Sequence, residues 1–248
     1  VAGVLGIVGF PAGGILIVAA LAAVVWSAAY GYTLEKVAYK PLRGAPRLSP
    51  LISAIGMSIF LQNYVLLAQT SDYVPFPRLL PDMEFLDYLG NIMGPSDFLI
   101  LVTSTLAMVS LSLFIRYTRM GKAMRATAQN RKMALLLGIN ADRIISLTFI
   151  VGSALAALGG VLIASHMGQV NFGIGFLAGL KAFTAAVLGG IGSIPGAMVG
   201  GLVLGIAESM TTGYLSGNYE DALAFALLIL ILIFRPDGIL GKAKVQKV

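Results

Sequence analysis

Glu208, Thr211 and Thr212 recur at i, i+3 and i+4 within an apolar run, a spacing that places all three on one side of a helix. Ser58, Gln62 and Gln69 share a face of a second apolar run, with Asn63 beside them, and Lys181 stands alone in "GLKAF". Polar and ionisable groups in such surroundings are costly, so they mark a polar translocation path, a proton relay or a bond to a neighbouring helix. Lys181 has a further option, snorkelling its amine to an interface. His166 is the single histidine and lies beside Gln169 and Asn171 with no carboxylate or second histidine near it in sequence, a poor metal site better suited to a rim contact.

Soluble enzyme chemistry finds little to work with. No G-x-x-x-x-G-K-[ST] phosphate loop is present, since Gly121-Lys122 and Gly241-Lys242 lack the upstream glycine and the following hydroxyl. H-E-x-x-H and G-x-S-x-G are absent, and with no cysteine there is neither thiolate nucleophile nor disulfide framework. The expectation is a chain that is not an enzyme and holds no cofactor or metal of its own.

The elements that position these residues follow from composition. The 248 residues are 58% hydrophobic and 11% charged, with a mean hydropathy of +0.89. A soluble domain carries about 25% charged residues, so this chain needs lipid as part of its solvent. A helix crossing the bilayer core takes about 20 apolar residues, and such runs fall near 12–34, 50–69, 97–115, 144–164, 174–192, 196–214 and 220–234. They are continuous rather than alternating, which excludes a barrel. The expected fold is therefore all-α and polytopic, one transmembrane domain over 1–248 with about seven helices. "VAGVLGIVGFP" at the start is too short to span, and a missing upstream crossing would make eight.

Charge between the runs is one-sided. Stretches 35–49, 116–143 and 235–248 hold fifteen of the seventeen Lys and Arg, whereas 70–96 carries Asp72, Asp82, Glu84 and Asp87 against Arg78. The positive-inside rule makes the basic stretches cytoplasmic and 70–96 an external loop. The net charge of +6 is thus explained by membrane orientation, with no nucleic-acid partner required.

The basic stretch "RYTRMGKAMRATAQNRKMALLLGINADR" is longer than orientation needs. Met124, Ala128 and Met133–Leu137 form an apolar face of one helix over 124–138, with Arg125, Gln129 and Lys132 around it and Gly138 at its end. Such a face must meet lipid or a partner groove. Farther on, Gly192, Gly196 and Gly200 repeat every fourth residue, as do Gly201 and Gly205. That spacing allows close helix packing; alternatively Pro195 and the glycines break a helix beside a cavity.

"KMALLLG" at 132–138 resembles the cytoplasmic coupling motif of ABC importers, with Ala134 and Gly138 kept and Lys132 and Met133 in place of its Glu and first Ala. "EKVAYKPLR" at 35–43, "LISAIGMSIFLQNY" at 51–64, "RYTRMGKAMRATAQN" at 116–130, "LLGINADRIISLTF" at 136–149, "KAFTAAVLGGIGSIPGAMVGG" at 181–201 and "RPDGILG" at the end strengthen the likeness. Together they resemble the permease subunit of the bacterial high-affinity branched-chain amino acid ABC transporter. The resemblance covers the chain from about residue 20, while family members carry a further N-terminal helix.

That resemblance implies an inner-membrane permease that forms half of a path for leucine, isoleucine and valine. Its partners would be a second homologous permease, two ATPases binding ATP and Mg, and a periplasmic substrate-binding protein. It implies a coupling role for Gly121, Arg125, Lys132, Met133, Ala134 and Gly138, with Ala134→Asp or Gly138→Trp expected to release the ATPase without unfolding the bundle. Path candidates are Gln62, Asn63, Lys181, Gly192, Pro195, Glu208, Thr211 and Thr212. The alternatives are a permease for short amides or urea, or a proton-coupled carrier or channel, for which Glu208 would be the relay.

Overall fold

The computed structural model describes residues 12–46, 49–68, 72–76, 95–235 and 237–241. Gln69, Arg78, Asp82, Glu84 and Asp87 lie outside the described residues, as does the opening "VAGVLGIVGFP". Each of the seven apolar runs is a helix: α1 Ala12–Leu34, α2 Ser49–Ala68, α3 Pro95–Tyr117, α6 Ala141–Met167, α7 Ile174–Gly189, α8 Ile194–Tyr214 and α9 Glu220–Phe234. Two short helices, α4 Arg119–Gln129 and α5 Arg131–Leu136, occupy the basic stretch. Among the described residues, five helical segments are long and apolar enough to cross a bilayer, whereas Ile52–Ala68 and Ile174–Gly189 are shorter. The only strands among the described residues are β1 Val74–Pro75 and β2 Gln169–Val170, paired antiparallel. The molecule is an all-α polytopic membrane protein.

Its surface is what lipid demands. Val25, Trp26, Leu67 and Ile233 are 69, 69, 87 and 70% exposed, an arrangement that only an apolar solvent tolerates over so many spans. Among the described residues, five of the nine buried apolar ones are alanines, because lipid supplies no hydrophobic drive between helices and close backbone approach has to replace it.

The chain forms two compact units, Val1–Gly173 and Ile174–Val248. In the first, α1 packs along α6. A Cβ on Gly31 would overlap the Ser153 side chain, and Ser27 Oγ donates to the Ser153 carbonyl at 2.9 Å. α6 starts at Asn140, whose side chain accepts from the Arg143 N–H at 3.2 Å, and stops at Gly168, held at φ +69. At that far end His166 Nδ1 lies 3.2 Å from Asp97 Oδ1 of α3. The histidine therefore has the carboxylate neighbour that its sequence context lacked, supplied from 69 positions away by the antiparallel course of α3 and α6.

Stretch 35–49 is not a plain loop. α1 continues through one π turn, Glu35–Tyr39, and a 3-10 turn, Pro41–Gly44. The Lys40 N–H closes the wide turn on the Glu35 carbonyl at 2.8 Å, and Tyr39 packs on Phe149 with ring centroids 4.8 Å apart.

In the second unit, α7 and α8 form a helical hairpin. Gly190 and Gly192 take φ +110 and +93 in its turn, and Ser193 caps α8 by accepting from the Gly196 N–H at 3.1 Å. A Cβ on Gly196 would strike Gly189, and one on Gly200 would strike Ala185. The packing expected from the glycine repeat holds at Gly196 and Gly200. Gly192 stands outside α8, in the turn, and no atom crowds the Cβ positions of Gly192 or Gly205. The every-fourth-residue repeat thus describes helix packing at two of its glycines, because the helix begins after the first. Pro195 sits in the first turn of α8, where its missing N–H costs nothing, and starts the helix rather than breaking one. Beyond α9, Ile239 and Leu240 donate to the Leu188 and Gly189 carbonyls at 2.9 and 3.0 Å, so the chain's return closes the end of α7.

Candidate coupling element and polar sites

The basic stretch expected to hold one helix over 124–138 holds two. Thr118 caps α4 by accepting from the Gly121 N–H at 3.0 Å, and Gly121 is buried against the Ile115 backbone, where any Cβ would collide. This holds the reversal from α3 into α4 tight. At Asn130 the backbone is extended (φ −156, ψ 104), and its side chain accepts from the Met133 N–H at 3.1 Å to start α5. An asparagine that can cap the next helix competes with continuing the previous one, and that is why a periodic apolar face over 124–138 does not make a single helix. Gly138 takes φ +77 just after α5, as a helix-ending glycine does.

The six coupling candidates divide by exposure. Ala134 is 1% exposed and Gly121 is buried, while Arg125, Lys132, Met133 and Gly138 face outward. Leu136 and Leu137, 82 and 76% exposed, join Met133 and Leu135 as an apolar surface at the end of a cationic segment. This corrects the choice of probe: Ala134→Asp would bury a carboxylate and Gly138→Trp would force a side chain into positive φ. Neither could release a partner without disturbing the fold, whereas Leu136 and Leu137 can be changed from the outside.

At the end of α1, where the π turn begins, lies a group the sequence reading missed. Glu35 is fully buried, and Ser146 Oγ donates to its Oε2 at 2.6 Å. Arg43 completes the knot, pairing with Glu35 through one terminal nitrogen and with Asp142 through the other, while Arg131 reaches Asp142 at 3.0 Å. Glu35 is thus a second acid inside the helical bundle, in addition to Glu208. The signal was present, a glutamate directly after 23 helical residues, but a charge at the edge of an apolar run reads as the start of a loop. The knot ties the end of α1 to the start of α6 and anchors α5 through Arg131.

In the second unit, Lys181 of α7 lies among three carboxylates. It is 3.3 Å from Glu208 Oε1 and 3.3 Å from Asp221 Oδ1, and it is hydrogen-bonded to Glu220. The lysine does not snorkel free; it joins α7, α8 and α9. The threonine stripe splits: Thr211 is buried and turns back onto the Ala207 carbonyl at 2.9 Å, while Thr212 is exposed and lines an open cleft of about 520 Å³ with Glu208, Ser209 and Glu220. Positions i+3 and i+4 differ by about 100° around a helix, enough for one to enter the core and the other to leave it. Gln62 is half-buried beside Ser58 on α2, but Asn63 is exposed and donates to its own helix at the Ile59 carbonyl, 2.8 Å away. The two amides point different ways. No group of three His, Cys, Asp or Glu able to hold a metal occurs among the described residues.

Comparison with known proteins gives these features a family. The family model described as branched-chain amino acid transport system / permease component matches residues 5–232. The high-affinity branched-chain amino acid transport system permease protein LivH of Escherichia coli (strain K12) is 54% identical over 240 residues, covering 95% of this chain and 78% of the relative. BraD of Pseudomonas aeruginosa, a permease protein named for the same kind of system, is 53% identical over 236 residues, 94% of this chain and 77% of its own. At a greater distance, the autoinducer 2 import system permease protein LsrC of Yersinia enterocolitica is 33% identical over 140 residues, 54% of this chain and 38% of its own. No solved structure matches. With a family match across nearly the whole length and half of the residues shared with its permease proteins, the chain belongs to the branched-chain amino acid transport system permease family.

Proposed function

We propose that this chain is the membrane-spanning permease subunit of an ATP-driven ABC importer for leucine, isoleucine and valine, working in a bacterial inner membrane with its basic loops in the cytoplasm. The observation that carries the reading is the identity to LivH and BraD over nearly the whole chain. The exposed surface of Met133, Leu135, Leu136 and Leu137 on a short helix between spans supports the mechanical part. The chain has no phosphate loop of its own, so ATP and Mg sit on partner subunits. A second homologous permease completes the path, and a periplasmic binding protein delivers cargo.

Force transmission needs a stiff element with an apolar face. α5 is capped at its start, closed by a glycine, and pinned through Arg131 to Asp142 at the head of α6. A push on Leu136 and Leu137 therefore reaches the α6 span through one ion pair and a short connection. Gln62, Lys181, Glu208 and Thr212 are the polar groups proposed for the path, because a zwitterionic head on an aliphatic side chain needs sparse polar contacts in an apolar channel. Thr211, turned into the packing, holds its helix instead.

The test is to purify the chain in mild detergent, identify what accompanies it, and reconstitute the assembly with its binding protein. ATP hydrolysis stimulated by leucine, isoleucine or valine is expected. Stimulation by urea or short amides alone would move the assignment to the amide class. Uptake that survives ATP depletion and collapses with an uncoupler would replace it with a proton-coupled carrier.

A further inference from the structure

Where α1 gives way to its π turn, a cleft of about 500 Å³ opens between that turn and the start of α6, lined by Tyr32, Lys36, Lys40, Arg43, Arg143 and the apolar pair Leu147 and Ile150. Four cations converge on it, and Asp142 is the one acid in its lining. Arg43 is committed to Glu35 and Asp142. Lys36 lies over the Tyr32 ring at 5.3 Å, and neither it, Lys40 nor Arg143 has an ion-pair partner among the described residues. All three are exposed. Satisfying the positive-inside rule requires only cations near a span end; it does not require them to share one cavity.

We propose that this cleft binds the phosphate of an anionic phospholipid. Three features choose a lipid over a soluble anion. The cleft stands at the end of two spans, Ile17–Tyr39 and Ala141–Met167, where hydrocarbon meets the headgroup layer. Its cationic mouth runs onto apolar walls, Leu147 and Ile150, so acyl chains have a surface beside the headgroup. Its charge is complementary, since basic pockets between spans hold acidic headgroups. Lys40 follows the π turn and Arg143 belongs to α6, so the cleft draws its free cations from both of its walls. A lipid seated there would bridge the ends of α1 and α6 from outside, as Arg43 does from within. The inference goes beyond the transport reading and does not depend on which cargo is carried.

The experiment is native mass spectrometry of the detergent-purified complex titrated with phosphatidylglycerol, with phosphatidylcholine and with inorganic phosphate. Phosphatidylglycerol is expected to remain bound in preference to phosphatidylcholine. Each cation at a headgroup is worth about a fivefold preference, so Lys40→Gln with Arg143→Gln should weaken retention roughly 25-fold. Lys40→Arg with Arg143→Lys should keep it, as should Arg116→Gln with Lys122→Gln outside the cleft. Equal retention by the neutralised pair, or equal loss in the outside pair, overturns the proposal. Inorganic phosphate saturating the site would reassign it to a soluble anion, and lipid binding only after ATPase subunits are stripped would make it a protein interface; either result defeats the lipid reading.

Discussion

Ser146 donates its hydroxyl to Glu35 at 2.6 Å across 111 positions of sequence, and both side chains are buried. A carboxylate removed from water demands both hydrogen bonds and a countercharge. Ser146 supplies the first and Arg43 the second, which makes the junction of α1 and α6 sensitive to a single polar change.

Arg43→Met should destabilise the chain by about 3–5 kcal/mol, because it leaves Glu35 buried without its cation. Adding Glu35→Gln should recover most of that loss. Thermal unfolding of the purified chain in detergent checks both, and a mild single variant with no recovery in the double would show that the ion pair does not hold this junction.

Gly200→Val should disrupt the α7–α8 hairpin, since its Cβ already overlaps the Ala185 carbonyl. The expected cost is about 3 kcal/mol or more, at the upper end for overpacking. Gly205→Ala, one turn on in open space, should be neutral or slightly stabilising. Expression level and melting temperature of the two variants separate packing glycines from incidental ones.

Leu136→Glu should reduce co-purified ATPase subunits about thirtyfold, the effect of losing about 2 kcal/mol at an interface anchor. The permease itself should melt as before, because Leu136 is 82% exposed. Quantifying the ratio of subunits after affinity purification decides the matter; an unchanged ratio would remove this surface from the docking site.

Lys181→Met should destabilise the second unit by about 1–2 kcal/mol, a buried-pair penalty reduced for solvent access, since it leaves Glu208, Glu220 and Asp221 without their shared cation. Lys181→Arg should retain much of the stability. If Glu208 lines the path, Glu208→Gln should lower uptake in reconstituted vesicles while folding is kept. Full uptake by that variant would confine Glu208 to holding helices together.

Much of this was readable before any coordinates. Each apolar run became a helix within a few residues of its expected limits because a span's length is set by the bilayer, and Gly138 and Gly168 ended helices as glycines at such positions do. Errors gathered at polar residues beside helix ends. Asn130 divided the basic stretch by capping its own next helix three residues on, whereas Glu35 turned inward to Ser146 and Asp97 met His166, partners that no local window contains.

Composition and the spacing of apolar runs alone determined that this chain lives in lipid, where its long apolar helices fall, and which stretches carry its cations, since these depend on hydration free energies summed over about 20 residues at a time. Which charges are paired was decided by tertiary structure. Lys181 finds its three acids, and Arg43 reaches Asp142, only when helices distant in sequence lie side by side. Ion pairing falls off over a few ångströms, and a linear sequence holds no record of which side chains come that near.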